Sequence, residues 1–258
     1  VLVEVKARFD EQQNVHWAKT LEKMGCHVLY GLVGLKTHTK ITLVVRRDED
    51  GIRRYMHLAT GNYNDVTAHF YTDIGLFTCH RDFGVDATNL FNMLSGYSKP
   101  PYFRQLRISP QLIRAFINEK IDQEIAIAKA NRKAEIHMKM NALSDPQIIA
   151  KLYEAANAGV KIKLIVRGIC CLKTNLPMTG DRIEVHSIVG RFLEHSRIYY
   201  FYHDGQDEVY LSSADMMKRN LNRRVETLFP ILQPDLKARV LSIFDLMWAD
   251  NVNGRWLD

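Results

Sequence analysis

His38 and His195 are each followed, two residues later, by a cationic residue. His38 precedes Lys40 and His195 precedes Arg197, and a β-prone stretch follows in both places. Alternate residues of a strand project from the same face, so each imidazole is expected beside its cation. A neutral imidazole can attack phosphorus while cations neutralise the charge of the phosphoryl oxygens. The pattern predicts a phosphoryl-transfer centre that contains both histidines.

The polar residues around these histidines recur in the same order in both halves of the chain. In each half a strand-end arginine precedes the histidine, and an amide or acid followed by a further acid comes after it. The first set is Arg8, His38, Asn62 and Asp73, and the second set is Arg167, His195, Asp215 and Glu226. Recurrence at similar spacing predicts two copies of one unit that face each other and build a single site.

The elements expected to carry these residues alternate between strands and helices. In the first half, strands are predicted at 1–6, 27–30, 41–46, 54–59 and 73–78, and helices at 16–24 and 86–97. In the second half, strands are predicted at 135–140, 160–167, 182–187, 198–203 and 209–212, and helices at 113–133, after Ser144 and at 234–248. This alternation is typical of α/β proteins, whose ligands bind beyond the carboxyl ends of the strands.

Composition limits the class of protein and the kind of partner. The 258 residues are 47% hydrophobic and 25% charged, which excludes a disordered or fibrous chain, and no apolar run predicts a membrane-spanning helix. An excess of 35 Lys and Arg over 29 Asp and Glu favours anionic partners. The four cysteines lack the CxxC spacing of zinc or redox sites, which favours a reducing, cytoplasmic setting.

Duplicated His-x-cation motifs resemble those of the phospholipase D superfamily, and several longer strings resemble the C-terminal catalytic half of bacterial polyphosphate kinase. These strings are ARFDE (7–11), GLKTHTK (34–40), ATGNYN (59–64), FYTD (70–73), VRG (166–168), FLEH (192–195) and YLSSAD (210–215). The resemblance covers essentially the whole chain. It implies two phospholipase D-like α/β domains related by an internal repeat, at 1–105 (truncated at its N terminus) and 106–258, with mixed sheets flanked by helices.

In that family a histidine takes the terminal phosphoryl group of ATP and passes it reversibly to a growing polyphosphate chain. By motif position, His38 is implied to be the phosphohistidine and His195 the second catalytic residue. Because ADP is a weakly basic leaving group, His195 is expected to stabilise charge more than to act as an obligatory general acid. Arg8 matches an arginine associated with Mg²⁺ and phosphate. Tyr71, Arg167 and His195 match nucleotide-site residues of the family. From their positions, the phosphate-binding residues are expected to include Lys40 and Arg197, and Lys36 and Arg223 are expected to line the same anionic tunnel.

The resemblance also implies cofactors and partners. Mg²⁺ is the implied cofactor, ATP, ADP and inorganic polyphosphate are the implied substrates, and no specific nucleic acid is expected. It implies a homo-oligomeric full-length protein in the cytoplasm and allows association with the periphery of the inner membrane. The chain starts inside a predicted strand, so we expect it to be part of a longer protein. This part is expected to keep the architecture and anion binding and to lack full turnover.

Two other functions stay open at this point. A phospholipase D-type phosphodiesterase or nuclease is disfavoured by Val44, which stands where that superfamily has an aspartate, and by Arg197 in place of its lysine. A non-catalytic polyanion-binding module is predicted by the net charge alone. Its binding would depend steeply on salt and would be indifferent to His38→Ala.

Overall fold

The computed structural model describes residues 1–5, 11–96 and 102–257, which form seven helices and fifteen strands. The helices are α1 (Glu11–Lys23), α2 (Asp65–Ala68), α3 (Arg81–Leu94), α4 (Ile113–Lys129), α5 (Pro146–Asn157), α6 (Lys218–Arg223) and α7 (Pro234–Trp248). The strands are β1 (Lys36–Thr37), β2 (Lys40–Asp48), β3 (Gly51–Ala59), β4 (Tyr71–Thr72), β5 (Gly75–Thr78), β6 (Arg107–Ile108), β7 (Glu135–Met140), β8 (Lys161–Val166), β9 (Ile183–Ser187), β10 (Leu193–Glu194), β11 (Ile198–Phe201), β12 (Glu208–Ser212), β13 (Arg224–Val225), β14 (Thr227–Pro230) and β15 (Arg255–Trp256).

The second half of the chain forms an eight-stranded mixed sheet in the order β15-β9-β8-β7-β11-β12-β14-β6. The central strands β7, β8 and β9 run parallel, and the other neighbours are antiparallel. One face packs against α4 and α5, where isoleucines of α4 meet Tyr199 and Phe201 of β11. The opposite face packs against Phe244 of α7. Strand β7 and helix α7 begin and end where the sequence predicted them.

Local signals explain where the helices begin. The Asp145 side chain accepts hydrogen bonds from two backbone amides of α5, and Pro146 occupies its first turn, as expected of a helix start. Helix α3 begins at Arg81, five residues before the predicted start, because the His80 side chain caps it by accepting from the amide of Asp82. It ends at Leu94, and the rest of the predicted helix, at Tyr97, lies outside the described residues.

The first half forms a smaller sheet in the order β2-β3-β5, and α3 packs on its inner face. The strand predicted at 1–6 appears within residues 1–5 only as an isolated parallel bridge between Leu2 and Leu29, and Lys6 lies outside the described residues. The strand predicted at 27–30 is therefore also reduced to that bridge. Met56 and Leu58 of β3 join the same buried cluster as residues of α7, so one apolar core connects the two halves.

The internal repeat is visible in the strand register, which confirms the α/β class with two related units. In the first half Ala59 pairs with Gly75 across β3 and β5, and in the second half Ser212 pairs with Leu228 across β12 and β14. The number of residues that separates Ala59 from Ser212 also separates the first residue of α3 from the first residue of α7. Among the described residues, no helix is long and apolar enough to cross a membrane.

Candidate active site

Two short parallel ladders join the halves and bring each histidine next to an acid of the other half. Strand β1 ends one residue before His38 and pairs with β13, which ends one residue before Glu226. Strand β10 ends one residue before His195 and pairs with β4, which ends one residue before Asp73. The distance from Nδ1 of His38 to Oε2 of Glu226 is 2.8 Å, and Nδ1 of His195 lies 2.9 Å from Oδ1 of Asp73.

The hydrogen bonds around the two acids are also related by the repeat. The Thr60 hydroxyl donates to Oδ1 of Asp73 at 2.9 Å, and the Ser213 hydroxyl donates to Oε2 of Glu226 at 2.6 Å. Each hydroxyl accepts the backbone amide of the residue after its acid, at 3.0 and 3.1 Å. Each acid is therefore fixed to the strand of its own half while it contacts the histidine of the other half.

The His38–Glu226 pair leaves one imidazole nitrogen available for chemistry. Burial lowers the pKa of His38 to about 4, opposed by the negative charge of Glu226 and assisted by the positive charge of Lys40. Burial raises the pKa of Glu226, but the charges of His38 and Lys40 together with the hydrogen bonds from His38 and Ser213 outweigh it, and the net shift is downward. A neutral His38 thus donates its Nδ1 proton to an ionised Glu226. Within the described part of the chain, Nε2 has no hydrogen-bond partner.

The two cations of the His-x-cation pairs occupy equivalent positions. The Lys40 ammonium donates to the His38 carbonyl, and Nη1 of Arg197 donates to the His195 carbonyl at 2.7 Å. Burial lowers the pKa of Lys40 to about 7, although Glu226 opposes the shift. Nη1 of Arg197 also lies 3.0 Å from Nε2 of His195. Each cation therefore lies against the site, as the sequence predicted from strand alternation.

Arg197 connects the two halves as well as facing His195. Its Nε and Nη2 atoms donate to the Asp215 carboxylate at 3.2 and 3.3 Å, and its Nη1 atom donates to the carbonyl of Thr60 at 3.3 Å. Burial raises the pKa of Asp215, but the charge and hydrogen bond of Arg197 together with the Asn141 backbone amide outweigh it, and the net shift is downward. The charged guanidinium is therefore paired although it is buried.

Tyr71 and Arg167 lie next to His195, whereas Arg8 lies outside the described residues. The Tyr71 ring is 5.0 Å from the His195 ring between centroids. Nε of Arg167 donates to the Asn141 side-chain oxygen at 2.7 Å, and the Asn141 amide donates in turn to the His195 carbonyl at 3.2 Å. Arg167 is thus oriented toward the second histidine through Asn141.

Several residues of the site were not singled out as functional from the sequence. Asp73 and Glu226 were noted only as markers of the repeat, although their equal spacing was the signal that could have identified them as partners of the histidines. Lys139, almost completely buried, donates to the carbonyls of Glu194 and Ser196 on either side of His195, at 3.0 and 2.7 Å. Burial lowers the pKa of Lys139 to about 7. Lys139 follows His137 with the same His-x-Lys spacing, so this spacing alone does not show which lysine reaches the site.

The basic segment 218–224 approaches the first histidine through Arg224 instead of Arg223. Nη1 of Arg224 lies 4.0 Å from Oε1 of Glu226, and the backbone of Arg224 pairs with Lys36 in the β1–β13 ladder. Arg223 is exposed at the end of α6. Burial lowers the pKa of Arg224, with Glu226 opposing the shift.

The donor set around the histidines suits anions better than a protein-held metal. No cluster of three or more His, Cys, Asp or Glu that could hold a metal ion is present among the described residues. Asp73 and Glu226 are each engaged with a histidine, and the neighbouring side chains are cations. A Mg²⁺ ion at this site would be held mainly by phosphate oxygens, as an ion that arrives with its nucleotide.

Gly61 leaves room for the Asp73 carboxylate, and replacing it with alanine is expected to disturb the Asp73–His195 pair. A Cβ atom at this position would overlap the carboxylate of Asp73, which must then move. We expect Gly61→Ala to lower phosphoryl transfer by about tenfold, the scale of one hydrogen bond to a charged group. The measurement is the initial transfer rate of the complete gene product. Gly190→Ala, at a position with open space, is the matched control and is expected to leave the rate unchanged.

Comparison with known protein families gives two matches that together cover almost the whole chain. The profile of Polyphosphate kinase C-terminal domain 1 matches residues 1–100, and that of Polyphosphate kinase C-terminal domain 2 matches residues 106–258. The chain is 70% identical to the polyphosphate kinase of Lactiplantibacillus plantarum over 257 residues, and 56% identical to that of Bacillus cereus over 255 residues. These alignments cover 100% and 99% of this chain and 36% of each relative. The chain therefore spans about a third of the length of the curated relatives it matches.

Solved structures give the same picture. Polyphosphate kinase from Porphyromonas gingivalis superposes with a TM-score of 0.91 at 37% identity, over 100% of this chain and 39% of that one. Phosphatidylserine synthase from Haemophilus influenzae superposes with a TM-score of 0.67 at 11% identity, over 100% of this chain and 74% of that one. The second similarity shows only that the two proteins share a fold.

Proposed function

The chain belongs to the polyphosphate kinase family, and we propose that it carries the phosphoryl-transfer site of such an enzyme. In this proposal His38 takes the terminal phosphoryl group of ATP and passes it reversibly to inorganic polyphosphate. The observation that carries the proposal is the His38–Glu226 pair: burial keeps the imidazole neutral, Glu226 accepts from Nδ1, and Nε2 has no hydrogen-bond partner among the described residues and lies beside buried cations. A neutral nucleophile surrounded by fixed positive charge suits attack on a polyanion.

The first transfer forms the bond between Nε2 of His38 and the terminal phosphorus of ATP and breaks the bond to the bridging oxygen, so that ADP leaves. The ring then carries the phosphoryl group on Nε2 and a proton on Nδ1, so it becomes positively charged. The Glu226 carboxylate, 2.8 Å from Nδ1, stabilises that charge without taking the proton. Lys40 and Arg197 are the cations expected to neutralise charge on the transferred oxygens.

The second transfer returns His38 to its neutral state. A terminal oxygen of polyphosphate attacks the phosphorus, the nitrogen–phosphorus bond breaks, and the chain becomes one phosphate longer. A phosphoramidate is a reactive donor, so the same steps run in reverse when ADP is the acceptor. In this scheme His195 assists in stabilising developing charge together with the neighbouring Arg197, which supplies the positive charge. Burial lowers the pKa of His195 despite the hydrogen bond with Asp73, which disfavours an obligatory role as a protonated general acid.

The nucleotide is proposed to bind on the His195 side of the site. Tyr71 packs near the His195 ring and can flank the adenine, and Arg167 is anchored by Asn141 where it can reach a phosphate. We propose Arg8 as part of the Mg²⁺–phosphate contact on the basis of the family motif alone. Mg²⁺ enters as Mg·ATP, and its charge offsets that of the triphosphate.

The division into units at 1–105 and 106–258, and a homo-oligomeric cytoplasmic protein in its complete form, are further parts of this proposal. The family membership supports the substrates, and the cationic site supports polyphosphate over a neutral acceptor. Association with the periphery of the inner membrane has only the net charge of +6 in its favour.

The complete gene product should make ATP from ADP and polyphosphate in the presence of Mg²⁺, as measured with a luciferase assay. Hydrolysis of a chromogenic phosphodiester is the parallel measurement, because a phospholipase D-type enzyme would cleave it without nucleotide. ATP formation with no diester cleavage supports the proposal. Diester cleavage with no ATP formation would overturn it in favour of a hydrolase.

A further inference from the structure

Glu226 receives a hydrogen bond that has no counterpart around Asp73. Nδ2 of Asn220, on α6, donates to Oε1 of Glu226 at 2.6 Å. Thr67 occupies the equivalent place on α2, and within the described residues its side chain makes no hydrogen bond to Asp73. Both oxygens of Glu226 are therefore held, Oε1 by Asn220 and Oε2 by His38 and Ser213.

The two acids also differ in burial. The Glu226 side chain is fully buried, whereas 23% of the Asp73 side chain is exposed. Asp73 receives its donors, His195 and Thr60, on the same oxygen. Water can supply the missing partner at an exposed carboxylate but not at a buried one. The first histidine consequently faces an acid that is held on both oxygens, and the second faces an acid that is held on one.

Asn220 makes its hydrogen bond at the expense of its own side-chain oxygen. The residue is 1% exposed, and its Oδ1 atom has no hydrogen-bond partner in the described part of the chain. An ionised carboxylate offers only acceptors, so Nδ2 and not Oδ1 must face Glu226. A buried unpaired acceptor destabilises a fold. Among the described residues, the hydrogen bond to Glu226 is therefore the one that the Asn220 side chain makes.

The charged groups that face this pair all favour the ionised acid. His38 and Lys40 approach Glu226 from the β1–β2 segment, and Arg224 approaches it from β13. The uncharged donors are Ser213 and Asn220. With Glu226 ionised and fixed, the imidazole proton stays on Nδ1 and the lone pair stays on Nε2. The donor that holds Oε1 fixes the direction of the carboxylate.

We propose that Asn220 is a positioning residue for His38: its amide holds Glu226 so that His38 presents an unprotonated Nε2 to the phosphoryl group. Asn220 acts through Glu226 and touches no reacting atom. The inference rests on the proposed phosphoryl transfer for its functional meaning, and on the hydrogen bonds of the described residues for its geometry. It also gives a structural reason why His38, and not His195, is the nucleophile.

The test measures the reactivity of His38 directly as well as through transfer. Diethyl pyrocarbonate acylates neutral imidazoles, and its rate at His38 is followed on the His38 peptide by mass spectrometry between about pH 3 and about pH 8, a range that includes the lowered pKa of His38. The complete gene product is compared with Asn220→Leu, which keeps the volume and removes the donor. Loss of a hydrogen bond to the charged acid raises the proton affinity of the pair, so the acidic limb should move upward by about one to two pH units. The acidic limb of ATP formation from polyphosphate should move with it.

Asn222→Leu is the matched control, because Asn222 is an exposed residue of the same helix that accepts a hydrogen bond from Arg114 at 2.7 Å. It should leave both pH profiles unchanged. If circular dichroism shows that Asn220→Leu does not fold, Asn220→Ala is used in its place. A smaller upward shift of the acidic limb is expected for that variant. In a Glu226→Gln background, Asn220→Ala should cause no further shift.

An acidic limb that stays in place at His38 in a folded Asn220 variant would overturn the inference, as would an equal shift in the Asn222 control. The proposed function fails separately, if the unmodified protein shows no phosphoryl transfer. A shift in acylation without any transfer would support the positioning role and reject the kinase. Phosphoryl transfer with no shift in either pH profile would support the kinase and reject the positioning role of Asn220.

Discussion

Replacing His38 with glutamine is expected to abolish phosphoryl transfer in both directions, by on the order of 10⁴-fold or more. Glutamine is close to histidine in size and can still donate to Glu226, which lies 2.8 Å from Nδ1 of His38. It cannot form a phosphoramidate, so the covalent route is closed while the surrounding cations remain. The rates of ATP formation from polyphosphate and of polyphosphate formation from ATP are measured in the complete gene product.

His16→Gln is the control for that substitution, because His16 is exposed on α1 and lies in no part of the site. It should transfer phosphate at the unmodified rate. A His38→Gln protein that folds and keeps a rate within about tenfold of the unmodified protein would show that the transfer does not pass through this imidazole.

Glu226→Gln is expected to lower transfer by roughly 10²–10³-fold, more than the equivalent change at Asp73. The buried carboxylate accepts from His38, Ser213 and Asn220, and an amide has one oxygen for these donors. It also loses the negative charge that stabilises the phosphorylated ring. Asp73→Asn removes a carboxylate that is partly exposed and held on one oxygen, so we expect a loss of about tenfold.

The two variants are compared by the rate of the first transfer, measured as phosphoenzyme formation in rapid-quench experiments. A larger loss in Glu226→Gln than in Asp73→Asn is the expected order. Equal losses would mean that the two histidine–acid pairs do equivalent work, and the opposite order would assign the nucleophile to His195. Thermal unfolding of both variants separates a loss of chemistry from a loss of fold.

Much of this site could be predicted from the sequence, because its parts lie at fixed distances along the chain. The His-x-cation spacing predicted that each cation lies beside its histidine, and Lys40 and Arg197 do so, although both histidines lie between strands and not within one. The recurring spacing of polar residues predicted two facing units, and the matching registers of β3–β5 and β12–β14 agree with it. Helix α7 covers the predicted residues 234–248, with Pro234 in its first turn.

The remaining contacts depend on how distant segments meet, which no local pattern specifies. Each histidine contacts the acid of the other half only because β1 pairs with β13 and β4 pairs with β10. These two-residue strands are too short to show periodicity in the sequence. Lys139 is one of three polar residues that alternate with apolar ones along β7, and only the fold shows that it binds the carbonyls beside His195. Asn220 sits in a basic segment that charge counting treats as a solvated face.

The measurement that tests the central claim most directly is the position of the covalent label after brief reaction with γ-labelled Mg·ATP. The complete gene product is digested under alkaline conditions, where phosphohistidine survives, and each labelled peptide is identified by mass spectrometry. We predict an acid-labile label on the peptide that contains His38, and its absence from the His38→Gln protein. A label on the His195 peptide, or transfer without any covalent label, would contradict the account.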